Sequence, residues 1–170
     1  MALVIVATPG ASTANSYVTL AEAETFVLEF LNTTTWAAAT NATKNAALVE
    51  ATHDIDCLSL IGTPDGEQYD EEASDYQPLH FPTTDDFDDT DTAYIPDDVK
   101  RATVVQAMYL IRAGEAEQAS QDIMAQGIVN QNLGRLSQSY SPYRTSPVCE
   151  VARRHLKKWL TATRKIEFGV

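Results

Sequence analysis

Between residues 95 and 111 the chain reads "IPDDVKRATVVQAMYLI", and Ala102, Val104, Val105, Ala107, Met108, Leu110 and Ile111 fall around most of a helical circumference. A helix apolar on so many sides must be surrounded by other elements, so this one is expected at the centre of a helical fold, over about residues 97–124. Pro96 suits the first position of a helix, where its missing N–H costs nothing, and Asp97 and Asp98 suit the positive end of the helix dipole.

The partners of that helix can be found on either side of it. "TLAE" places Thr19 as an N-cap three residues before Glu22, a capping box. The helix it starts is expected to run to about Leu31 and to bury Leu20, Ala23, Phe26, Val27 and Phe30. "NTTTWAAAT" connects it to a second helix, about Asn41 to Leu60, with Ala47, Leu48, Ala51, Ile55 and Leu58 at helical spacing. Ahead of both, the β-branched "ALVIVAT" followed by "PGAS" reads as a short strand and a turn.

Gly62, Pro64 and Gly66 stop the second helix, and no periodicity returns until Ile95. A pattern-free stretch of that length usually marks a functional or partly mobile loop, here with Leu79 and Phe81 as candidate anchors to the core. After the central helix, "GIVNQNLGRLSQSYS" alternates around Asn132 and Gly134, which predicts a β-hairpin over 127–140. Beyond a "PYRTSP" linker, a last helix over about Pro147–Thr161 sets Val148, Val151, Ala152, His155, Leu156 and Trp159 on one face. Arg153, Arg154, Lys157 and Lys158 fall on the other. The fold class expected is therefore mainly α: a small helical bundle with a long acidic loop, a β-hairpin and a C-terminal helical extension. In domain terms this is a core over 1–141, containing loop 62–95 and hairpin 127–140, then a linker with a basic helix and tail over 142–170.

At 170 residues the chain is long enough to bury about 70% of its unfolded-state surface without disulfides or a structural metal. Cys57 and Cys149 form no ligand cluster and fit a reducing compartment and ordinary burial. "MALVIVAT" lacks the basic start of a secretion signal, and no apolar run approaches the roughly 20 residues that cross a bilayer, so a soluble protein made in a cytoplasm is expected.

The net charge is −12, and it is unevenly spread. Residues 65–98 hold thirteen Asp or Glu and no Lys or Arg, whereas 149–170 hold six Lys or Arg against two Glu. Such a chain is a poor general binder of nucleic acid, whose phosphates must be neutralised by cations, but copies of it could meet through surfaces of opposite sign.

The aspartates of "DDFDDTDTAYIPDDVK" invite a metal reading, which fails in detail. Set against a calcium-binding EF-hand loop from Asp86, the chain offers Thr90 at position 5, Asp91 where a glycine is needed and Asp97 in place of the final glutamate. A metal-dependent nuclease could be assembled from Pro64-Asp65 and Asp98-Val99-Lys100, but these lie in a turn and in a helix's first turn rather than converging on one metal. The cysteines lack activating neighbours, His53, His80 and His155 are scattered, and no nucleophile elbow, phosphate loop or dinucleotide fingerprint occurs. Neither catalysis nor a cofactor or metal is expected.

Taken together, "MALVIVATPGASTANSYVTLAEAETF", "WAAATNATKNAALVEATHDID", "LHFPTT", "IPDDVKRATVVQAMYLI" and "GIVNQNLGRLSQSYS" resemble the head–tail adaptor proteins of tailed bacteriophages, also called connector or head-completion proteins. Some of these carry the label DnaT-like single-stranded DNA-binding protein. The resemblance spans about residues 1–141 and is most specific at Ala14-Asn15-Ser16-Tyr17, at Ile95-Pro96 with Val99-Lys100-Arg101-Ala102, and at Gly127, Gly134 and Leu136-Ser137. It implies a ring, with twelve copies the expected number, beneath the portal protein in the neck of a virion assembled in the host cytoplasm. Double-stranded DNA would pass through the ring without specific binding, during packaging and ejection, and no membrane would be involved.

By the same resemblance, the C-terminal segment is the candidate for portal docking, through Arg153, Arg154, Lys157, Lys158, Trp159, Arg164 and Lys165. The loop carrying Asp85, Asp86, Asp88, Asp89 and Asp91 would face the lumen or a neighbouring neck or tail protein. Two departures stand out: Phe81-Pro82-Thr83 occurs where relatives carry an arginine after the proline, and the acidic loop is longer than theirs. A DNA conduit should not grip its cargo, which suits an acidic chain. The alternatives are a replication-type binder of single-stranded DNA, which wants a cationic groove with stacking aromatics, and, further off, the nuclease.

Overall fold

A computed structural model of the chain describes residues 3–125, 130–133, 136–139 and 148–161, with side chains described as far as Gly114 and again from Val148. Its elements are α1 (Leu20–Val27), α2 (Thr34–Ala38), α3 (Asn41–Asp56), α4 (Asp97–Ala125), β1 (Asn130–Leu133), β2 (Leu136–Ser139) and α5 (Glu150–His155), the last running into a 3₁₀ turn at Leu156–Lys158.

The central position of α4 follows from its sequence. Val99, Ala102 and Val105 face one apolar cluster with Tyr17, Ile55, Leu79, Phe81, Val148, Ala152 and Leu156. Val104 and Ala107 face another with Val18, Ala23, Val27, Trp36, Ala47, Leu48 and Ala51. With apolar residues on opposite sides, α4 packs against α1, α2, α3 and α5 at once. It bends at Gly114, whose φ of 54° and ψ of −157° leave the helical region.

The capping box on α1 is formed: Thr19 Oγ1 accepts the Glu22 N–H at 3.2 Å while Glu22 Oε2 accepts the Thr19 N–H at 2.9 Å. The helix nevertheless ends at Val27, short of Leu31. The N–H groups of Leu28, Glu29 and Phe30 donate three residues back, to Thr25, Phe26 and Val27, and Asn32 takes a left-handed φ of 61°. In the threonine-rich connector, α2 forms and buries Trp36.

Residues 62–95 form no helix but are tied down. Thr84 N–H donates to Thr63 O, Asp65 N–H to Pro82 O and Gln77 N–H to Glu67 O. The buried Gln77 amide donates to the carbonyls of Leu79 and Pro82, both at 2.8 Å, which holds the turn around the cis Phe81–Pro82 bond. Leu79 and Phe81 are buried, as anchors.

Three corrections to the expected fold class follow, although mainly α stands. First, residues 3–8 are not a strand: the Asn15 side chain takes the place of a strand partner, accepting the Val6 N–H at 2.8 Å and donating to Val4 O at 2.9 Å. Second, the hairpin expected over 127–140 adds no sheet layer to the bundle: among the described residues it is two four-residue strands that pair with each other and with no other strand, Asn130 opposite Ser139 and Leu133 opposite Leu136. A lone pair of that size is too small to form a sheet layer; Gly127, Gly134 and Tyr140 lie outside the described residues. Third, the C-terminal helix is no extension. Val148, Ala152 and Leu156 are core residues, Ile61 N–H donates to Trp159 O, and Thr161 N–H donates to Ser59 O at 3.0 Å.

Candidate interaction surfaces

Four cations of the bundle are engaged by its own acids. Lys44 on α3 is buried, so its ammonium requires a counter-charge. Glu24 supplies it at 2.7 Å and also accepts the indole N–H of Trp36 at 3.2 Å, while the Lys44 ammonium lies 5.3 Å from the Trp36 ring centre. The hydrogen bond from Lys44, ahead of that from Trp36, holds the Glu24 carboxyl below its usual range. Lys100 reaches Glu22 at 2.5 Å. Burial raises the Glu22 carboxyl, but the bonds from Lys100 and Thr19 together outweigh it and the net direction is down. Arg101 grips Glu29 at 2.8 Å and lies within 4 Å of both Asp97 and Asp98, and Lys158 reaches Asp98 at 3.2 Å.

The aspartates of the acidic loop divide by role. Asp86 is buried, and its carboxylate accepts the Thr83 N–H at 2.9 Å and the Thr83 hydroxyl at 2.7 Å. Asp88 accepts from the Thr90 hydroxyl and from the N–H groups of Thr90 and Thr92, which together hold its carboxyl below the usual range. Both therefore build turns. Asp85, Asp89 and Asp91 are exposed, Asp91 with a left-handed φ of 59°. Among the described residues, no three His, Cys, Asp or Glu side chains converge in a way that could hold a metal ion.

Of the residues nominated for portal docking, Arg154, Lys157 and Lys158 are exposed on α5 and the turn after it, and Arg153 is half-buried. Trp159 instead faces inward, its ring edge-on to Phe81 at 5.8 Å. Arg164 and Lys165 lie outside the described residues. The nuclease pair is not brought together as such: Asp65 is exposed in its turn, whereas Lys100 is bound to Glu22. His155 stacks edge-on against Phe30, and Cys57 is exposed rather than buried.

Two features were not foreseen. Asp56, at the end of α3, accepts hydrogen bonds from the Tyr17 hydroxyl and from the His80 N–H, joining the bundle to the long loop. Burial pushes both the Asp56 carboxyl and the Tyr17 phenol up. The second is an apolar cleft of about 570 Å³ between the turn after α1, α4 and α5, lined by Phe30, Leu31, Val105, Met108, Tyr109 and Val151. Leu28 and Leu31 beside it are 84% and 88% exposed. The sequence signal was the apolar Leu28, Phe30 and Leu31 continuing past the point where the helix could bury them.

A family model described as "Putative DnaT-like ssDNA binding protein" matches residues 1–168. The chain belongs to that family. Membership of the DnaT-like family agrees with the label carried by some of the proteins it resembles, while the family description says nothing of a head–tail adaptor. No curated protein and no solved structure matches the chain.

Proposed function

We propose that this member of the DnaT-like family is a structural head–tail adaptor of a tailed bacteriophage, assembled as a ring on the portal, through which genome DNA passes. The observation that carries the reading is the commitment of cations to pairs within the bundle: Lys44 to Glu24, Lys100 to Glu22 and Arg101 to Glu29. A binder of single-stranded DNA needs a cationic groove with aromatic platforms. Here Tyr17, Trp36 and Phe81 are in the core, and the exposed Tyr69 and Tyr94 stand among carboxylates. An acidic surface suits a passage that must release its DNA. Gold-labelled antibody against the chain should mark the neck of the particle; label confined to infected-cell replication complexes would overturn the reading.

The family description favours a second reading, binding of single-stranded DNA, and supports it more directly than it supports the first. On this chain the surface for it would be Arg154, Lys157 and Lys158, with Arg164 and Lys165 following in sequence. Charge reversal at Arg154 and Lys157 should then abolish oligonucleotide binding.

A further inference from the structure

The apolar cleft and the acidic loop have complementary features on one chain. The cleft exposes Leu31 and Val151, and Arg112 lines it. From Val151 the surface continues along α5 to Arg154 and Lys157, both exposed and forming no ion pair among the described residues. The cleft is thus apolar at its centre, with Glu29, already paired to Arg101, on its rim and the cations Arg112, Arg154 and Lys157 on or near it.

Elsewhere on the chain, Tyr69 is 93% exposed. It is held out by a built turn rather than a loose one: its N–H donates to Glu67 Oε1 at 2.9 Å, Asp70 Oδ1 accepts the Glu72 N–H at 3.0 Å, and the Glu67 backbone pairs with Asp75 and Gln77. Gly66 lets these two stretches approach, because a Cβ there would lie 2.2 Å from Asp75 O. Its neighbours in the same turn, Glu67, Asp70, Glu71, Glu72 and Asp75, are all exposed. An exposed aromatic in an acidic turn matches an apolar cleft with cations along one side, and both belong to the same chain.

We propose that Tyr69 of one copy seats in the cleft of a second copy, with the carboxylates around it meeting Arg112, Arg154 and Lys157. The two surfaces are different, so the contact is heterologous and propagates from copy to copy into a ring or a filament. The inference extends the ring-forming adaptor reading and identifies the contact by which copies join.

Sedimentation velocity of the full chain and two variants tests it. The wild type should associate as its concentration rises, less so at high salt, because the charged rim is screened. Tyr69→Ala should stay monomeric for want of the knob, and Leu31→Asp for want of an apolar seat. Both positions are exposed, so both variants should melt within a few degrees of wild type. An equimolar mixture of the two carries one intact knob and one intact cleft, and should form dimers and nothing larger. A monomeric wild type, a Tyr69→Ala variant that associates like wild type, or a mixture that stays monomeric would each overturn the contact. None of these outcomes by itself decides the adaptor reading, which is tested separately by where antibody labels the particle and by oligonucleotide binding.

Discussion

Replacing Leu156 with alanine should cost far more than its place near the end of a basic amphipathic segment suggests. Leu156 is 0% exposed and lies in a cluster with Tyr17, Phe81, Val99 and Ala152, so truncation opens a cavity walled by α4, α5 and the long loop. Cavity-forming Leu→Ala changes in well-packed cores cost about 2–5 kcal/mol. For a chain of this length, 1 kcal/mol moves Tm by about 2–4 °C, so the expected fall is on the order of 5–15 °C. Arg154→Ala, two residues away on the exposed side of α5, should stay within about 0.5 kcal/mol. Urea and thermal unfolding followed by circular dichroism compare the two. If Leu156→Ala lost less than about 1 kcal/mol, or melted with Arg154→Ala, the segment 148–161 would be an appendage and its placement in the core would be refuted.

Three further outcomes follow from the polar contacts. Gln106, wholly buried on α4, donates to Asp54 at 2.7 Å and accepts the Cys149 N–H at 2.8 Å, so Gln106→Leu should cost on the order of 2 kcal/mol or more in urea unfolding by stranding both partners. Asn15→Ala should loosen the N-terminal segment, seen as faster hydrogen exchange at the Val6 amide, with little change at α4. Glu22→Gln keeps the capping box but removes the charge facing Lys100. Because the folded Glu22 carboxyl sits below its usual value, its contribution is present above about pH 4.3, the ordinary glutamate value, and is lost as pH falls through the folded value. The Tm gap between wild type and Glu22→Gln should therefore be open at neutral pH and close in acid; a gap that widened in acid would reverse the sign.

The elements legible in the sequence were those whose own pattern demanded partners. The apolar circumference of 97–111 announced a central helix, and Thr19 with Glu22 announced the start of α1. The end of α1 was not legible, because Leu28, Phe30 and Leu31 continue the apolar pattern while the backbone tightens and Asn32 turns left-handed. Helix α2 was hidden among threonines and alanines, and only Trp36 hinted at something to bury. The N-terminal run has strand composition, yet its pairing comes from a side chain nine residues on in the case of Val6, which no local propensity encodes. Lys44 and Gln106 are buried polar residues whose partners lie far away in sequence, whereas the buried Gln77 amide serves a turn within its own segment. Of the nominated surface residues, Asp86 and Trp159 proved to hold structure together, because composition gives the charge of a segment but not which members of it turn inward.

The division between an adaptor and a single-stranded DNA binder comes down to whether the cations left on α5 suffice to hold an oligonucleotide. Fluorescence anisotropy with a labelled thymidine oligomer, titrated with the full chain at low and at physiological salt, measures this directly. The internal pairing of Lys44, Lys100 and Arg101 predicts no saturable binding at physiological salt. Saturable binding there at micromolar protein or below, falling steeply as salt rises, would contradict it and move the chain to the function its family description names.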